Sequence, residues 1–192
     1  MPVRRTPFLA GHFYHIYNRG ADAGRVFFGL DNYEYFLSLI AKKLSRHRIR
    51  IVAYCLMPNH FHLLLRPDLD ETVPAFMTSL CGAYAQALNR QRGRRGPLFQ
   101  GRYRSIEVEA EAYLIHLARY IHLDPVVARL VGSPIEWPYS NYADVIGRRQ
   151  GGLRDSSLVP DRFPGGDDYR EFVEESLHDR AAPQGFGGFL LE

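Results

Sequence analysis

The sequence predicts an α+β fold: a ferredoxin-like (RRM-like) antiparallel sheet with helices on one face, followed by an extra C-terminal helix. Three observations predict it. Residues 61–65 are apolar at every position except His62, as a strand buried on both faces would be. Residues 31–47 and 72–92 carry apolar side chains at helical spacing. The elements also follow one another as strand, helix, strand, strand, helix, strand, helix, which makes two strand–helix–strand units with adjacent middle strands. The other face of the sheet is then expected to stay open for a ligand.

Met1 to Ala10 is a short basic arm that includes Arg4 and Arg5. His12 to Arg19 is aromatic-rich and bounded by Gly11 and Gly20, as a strand would be. Alternation puts Phe13, His15 and Tyr17 on one face, with Tyr14, Ile16 and Asn18 on the other. After a glycine-punctuated loop, Asp31 is placed as a helix N-cap with Glu34 three residues on, the spacing of a capping box. Tyr33, Phe36, Leu37, Ile40 and Leu44 supply that helix with its apolar stripe, and it should end near His47. Ile49 to Leu56 reads as a strand that Met57, Pro58 and Asn59 turn tightly into the next, so the two should be antiparallel neighbours.

A polar loop precedes the helix Thr72 to Arg92, which is apolar at Val73, Phe76, Met77, Leu80, Tyr84 and Leu88. Tyr103 to Val108 reads as a strand and Glu109 to Leu123 as a helix ended by Pro125, because the residue before a proline avoids the helical region. Trp137, Pro138, Tyr139 and Tyr142 form a compact apolar cap, and Asp167 to Leu177 reads as a short helix. From Gly151 to Arg180 there are eight Asp or Glu against four Arg, so residues 1–147 are taken as the domain and 148–192 as an acidic, partly flexible tail.

The chain has 192 residues, enough for a core without disulfide staples, and its two cysteines, Cys55 and Cys81, read as reduced thiols. No signal pattern and no apolar run of membrane-spanning length is visible, so a cytoplasmic location with no membrane partner is expected. The net charge of +3 hides its distribution. Arg90 to Arg104 holds six arginines and no acid, leaving 3 − 6 = −3 for the remainder. Such a window supplies phosphate contacts, with Phe99 and Tyr103 available for base stacking. It can equally be a solvated loop.

The chemistry centres on Tyr54 to Arg66, where His60 and His62 flank Phe61. In a strand both imidazoles leave one face and Phe61 the other. Downstream, His116, Tyr120 and Asp124 recur at four-residue spacing and share one helix face; His122 points elsewhere. Two imidazoles and a carboxylate can bind a divalent ion, Mg²⁺ or Mn²⁺, and leave positions for a phosphate oxygen. Tyr120 would stand beside it, and a phenol is a nucleophile once deprotonated. Each residue also has an ordinary structural role. Tyr120 can be a packed aromatic, His116 a surface residue, and Asp124 before Pro125 a helix end.

Four segments carry a family resemblance: Tyr14 to Gly20 (YHIYNRG), Tyr54 to Leu65 (YCLMPNHFHLLL), Gly96 to Ser105 (GPLFQGRYRS) and Arg119 to Val126 (RYIHLDPV), with Trp137 to Tyr142 (WPYSNY) matching more loosely. Together they resemble the single-tyrosine HUH transposases, specifically the REP-associated tyrosine transposase branch. The resemblance implies that His60 and His62 are the metal-binding pair and Tyr120 the nucleophile. It makes Asp124 the third ligand, where relatives often carry an amide. It implies cleavage of single-stranded DNA with a 5′-phosphotyrosine and a free 3′-OH, a hairpin-forming repeat as substrate, and a monomer that is nucleoid-associated when bound. Arg19, Arg90, Arg92, Arg94, Arg95, Arg102, Tyr103 and Arg104 are the expected DNA contacts. Two other functions fit the same residues: a catalytically silent DNA- or RNA-binding module, and a nuclease in which water attacks and Tyr120 only packs.

Overall fold

Four strands form one antiparallel sheet in the order β2-β3-β1-β4. They are β1 (Phe13–Arg19), β2 (Ile49–Met57), β3 (His60–Pro67) and β4 (Arg104–Val108). The helices are α1 (Leu30–His47), α2 (Thr72–Gln91), α3 (Glu111–Val127), α4 (Tyr142–Val145) and α5 (Gly166–His178). This computed structural model describes residues 7–109, 111–150, 153, 163 and 165–178. Arg4, Arg5 and most of the expected acidic tail lie outside the described residues.

Alternation along the strands divides the interior into two cores. Tyr14, Ile16, Leu56, Phe61, Leu63 and Leu65 pack with Phe36 and Ile40 of α1 and Phe76, Leu80 and Tyr84 of α2. Burying each such aromatic stabilises the fold by about 1.5–3 kcal/mol. Val52, Ala53, Cys55 and Leu64 face the opposite way, onto Leu114, Leu117, Ala118 and Ile121 of α3. A register shift between Ile51 and Ala53 accompanies the placement of Val52 and Ala53 in the same core.

The expectation of an open second face is therefore corrected. That face is apolar along β2 and at Leu64 of β3, and α3 covers it there. α5 packs on the far side of α3 through Tyr169 and Val173, both buried. Buried on two sides, α3 carries apolar residues around much of its circumference.

Local differences have local causes. α1 begins at Leu30 after Gly29, and Asp31 is inside its first turn rather than at its cap. Asn32 Oδ1 accepts from the Phe28 amide nearby. Pro125 does not end α3, which runs to Val127, and Ala128 N–H bonds the Asp124 carbonyl. The fixed φ of proline is compatible with a helix, at the loss of one backbone bond. The Trp137–Tyr142 stretch covers the β2 edge. Leu56 N–H donates to the Tyr139 carbonyl, Trp137 Nε1–H to Leu56 O, and Asn141 bridges Tyr54 N and Val52 O. This satisfies an edge strand that would otherwise invite pairing with another chain.

Candidate active site

β3 lies inside the sheet, with β2 and β1 on its flanks. The alternation expected of it holds: Phe61 enters the α1–α2 core, its ring 5.3 Å from Phe36, while His60 and His62 face α3. Opposite them in register stand Met57 and Cys55 on β2, and Arg19 and Tyr17 on β1.

α3 brings Asp124 to the pair. Asp124 Oδ2 is 2.9 Å from His60 Nε2 and 3.7 Å from His62 Nε2. One ligand atom from each residue fits within a 4.8 Å span. His60 Nδ1 is 2.8 Å from Asn59 Oδ1, an acceptor, so the ring proton belongs on Nδ1. That leaves the Nε2 lone pair facing a carboxylate oxygen, an arrangement that requires a cation or a shared proton between them. His62 Nε2 is buried and has no hydrogen-bond partner among the described residues. Burial, then the neighbouring His15, pushes the His62 imidazole well below its ordinary range and keeps it neutral, the form that ligates metal. The donor set therefore fits a divalent ion. Two nitrogens and a hard oxygen suit Mn²⁺ and its neighbours.

Tyr120 sits one helical turn before Asp124 and is half-buried, its ring edge-on to His62 at 5.9 Å. Burial, reinforced by the Asp124 charge, raises its phenol well above the ordinary range. His116, His122 and Cys55 have other surroundings. His116 is exposed and its Nδ1 accepts from Arg119. His122 is enclosed between Tyr169 and Asn141. Cys55 is buried, and burial first, then Asp124, holds its thiol protonated.

The arginine loop is anchored beside the site. Gln100 N–H donates to the Arg19 carbonyl, Asn18 Nδ2 to Gly101 O, and Ala21 N–H to Leu98 O. Arg19 Nε also bonds the Gln100 side chain. Gly20 is required at this junction, since a Cβ there would lie 2.0 Å from the Gly24 carbonyl oxygen. Arg90, Arg94, Arg95, Arg102 and Arg104 are exposed. Arg92 caps the Phe28 ring at 4.0 Å. Phe99 is not available for stacking: it is buried 5.9 Å from Phe61. Tyr103 is half-buried against the α1–α2 core.

The site also contains a residue to which the sequence assigned no role. His15 is fully buried, and its Nε2 lies 2.9 Å from His62 Nδ1. The period-two pattern put it on the correct face, but strand register decides its neighbour.

The profile of IS200-like transposases matches residues 11–124, and the chain belongs to that family. Within it, the chain is similar to a Haemophilus influenzae protein provisionally classed as a REP-associated tyrosine transposase, at 26% identity over 117 residues. That stretch is 56% of this chain and 66% of the relative, just under two-thirds of its length. Among solved structures, a REP-associated tyrosine transposase bound to a REP hairpin superposes with a TM-score of 0.65 at 18% identity, covering 82% of this chain and 96% of that one. A provisionally classed transposase from Deinococcus radiodurans gives a TM-score of 0.44 at 18% identity, over 62% of this chain and 95% of its own. Among the described residues, no helix is long and apolar enough to cross a membrane.

Proposed function

We propose that this chain is a metal-dependent DNA strand transferase that cuts single-stranded, hairpin-forming repeat DNA through Tyr120. The observation that carries the proposal is the convergence of His60 Nε2, His62 Nε2 and Asp124 Oδ2 beside a tyrosine one turn away on the same helix. Tyr120 Oη attacks the scissile phosphorus, the bond to the 3′ oxygen breaks, and the products are a 5′-phosphotyrosine and a free 3′-OH. The ester retains the phosphodiester energy, so a later attack by a 3′-OH can rejoin strands without a nucleotide cofactor.

His60, His62 and Asp124 would hold Mg²⁺ or Mn²⁺. Held there, the ion would polarise a phosphate oxygen and would offset the Asp124 charge that, after burial, helps keep the Tyr120 phenol protonated. Arg19 lies directly across the sheet from His60, and Arg104 across from Tyr17, so cationic side chains line the approach to the site. With Arg90, Arg92, Arg94, Arg95, Arg102 and Tyr103 they are the proposed DNA contacts.

We read the fold as ferredoxin-like, supported by the strand order β2-β3-β1-β4 and by the α1–α2 layer on one face. Residues 1–147 are proposed as the catalytic domain and 148–192 as an appendage that docks α5 on α3. Asp124 Oδ2 lies 2.9 Å from His60 Nε2 of its own chain, which supports a tyrosine helix acting in cis and a monomeric enzyme. Such an enzyme would work where its DNA is, in the cytoplasm and on the nucleoid.

A labelled repeat hairpin incubated with Mn²⁺ and run on a denaturing gel tests this reading. Wild type should give a band shifted by the mass of the protein, and Tyr120→Phe or added chelator should abolish it. Cutting without an adduct would make water the nucleophile, and binding without cutting would make the chain a silent DNA-binding module.

A further inference from the structure

We propose that His15 is a positioning residue: it accepts the Nδ1 proton of His62 and so holds His62 in the one tautomer whose Nε2 can ligate the ion. The proposal rests on the reading of His60, His62 and Asp124 as a metal site.

The two rings form a closed pair. His15 Nε2 and His62 Nδ1 are 2.9 Å apart, the rings are stacked with centroids 5.0 Å apart, and both residues are fully buried. Both rings are fully enclosed, and an unpaired charge is costly to bury, so each is neutral. Each ring then carries one proton, and one of them lies between the rings. Two arrangements are possible. If His15 donates, the His62 proton moves to Nε2, and no lone pair is left there for an ion. If His62 donates, its Nε2 lone pair faces the ligand cluster, where a cation satisfies it. The second arrangement matches the rest of the site, since Asn59 Oδ1 selects the corresponding tautomer in His60.

The two ligands are thus oriented from behind by different acceptors, an amide oxygen for His60 and a neutral imidazole for His62. Partners of this kind usually alter metal affinity by 10–100-fold. His15 reaches its position because β1 pairs with β3 in a register that sets Tyr17 against His62, placing His15 one step along the same face.

Two measurements test the proposal. The first is ¹⁵N NMR of the histidine rings in the metal-free protein, which reports each tautomer directly. It should show the His62 proton on Nδ1 and a bare Nε2; a proton on Nε2 would overturn the proposal whether or not metal binds. The second is Mn²⁺ titration of wild type, His15→Phe, His15→Gln and Asp124→Ala, with folding checked by denaturation. His15→Phe should weaken Mn²⁺ by about 10–100-fold. His15→Gln should recover most of that loss, because its carboxamide oxygen can accept the same proton. Equal affinity in wild type and His15→Phe would overturn the role of His15. Failure of the metal reading looks different: wild type and Asp124→Ala would then bind Mn²⁺ equally weakly, while NMR still decides which ring donates.

Discussion

His62 on β3 and His122 on α3 are both fully enclosed, and burial lowers both imidazoles, that of His122 to about 4. Their polar atoms are treated differently. His122 Nδ1 is 2.8 Å from the Tyr169 hydroxyl, and its Nε2 is 3.0 Å from Asn141 Oδ1. Asn141 Oδ1 also accepts from Tyr54 N–H, while its Nδ2 donates to Val52 O, so the ring belongs to a closed network tying α3 and α5 to the β2 edge. His62 uses one nitrogen on His15 and leaves the other bare, aimed toward a carboxylate. Burial and a lowered pKa are common to both. An unpartnered nitrogen at a convergence of possible ligand atoms is what marks His62, and not His122, as the proposed ligand.

The largest effect that could break this contrast concerns stability. His122→Leu removes a partner from both Tyr169 and Asn141 and should cost about 1–3 kcal/mol in urea denaturation, with Mn²⁺ affinity unchanged. A change in metal affinity with stability intact would reverse the assignment.

The same residue predicts a pH dependence. Its folded-state pKa of about 4 lies below the ordinary 6.5, so the unfolded chain takes up the proton first. The stability is fully present above about pH 6.5 and is lost as pH falls toward about 4, by on the order of 3 kcal/mol. Urea midpoints at about pH 7 and about pH 5 should diverge in wild type and diverge less in His122→Leu. Equal divergence in the two would assign the acid sensitivity elsewhere.

A smaller effect belongs to the arginine loop. Arg94→Ala and Arg95→Ala should each lower the slope of log affinity for DNA against log salt by about 1 and leave folding alone. Arg92 differs, since its guanidinium also covers Phe28, so Arg92→Ala should reduce stability as well. An unchanged salt slope in Arg94→Ala would remove that residue from the DNA contacts.

Most of this architecture is legible in local pattern. Alternation along 60–65 assigns Phe61 and the two histidines to opposite faces, and four-residue spacing puts Tyr120 and Asp124 together. What is not legible depends on packing over distance. The apolar residues of α3 fit either a helix on the outer layer or one across the second sheet face, and only the assembled sheet shows that β2 and β3 need covering there. The sequence shows Phe99 in a basic window but not that the loop folds back to bury it beside Phe61. His15 is on the predicted face, yet its contact with His62 depends on the β1–β3 register, which no single strand encodes. Pro125 signals a helix end, but the helix continues for two further residues.

Anomalous diffraction from crystals of wild type and His62→Ala grown with Mn²⁺ would test the central claim most directly. Wild type should show one strong peak in contact with His60, His62 and Asp124, lost in His62→Ala, and none beside His122. A peak that survives the loss of His62, or an absence of manganese at the three ligands while it binds elsewhere, would contradict it.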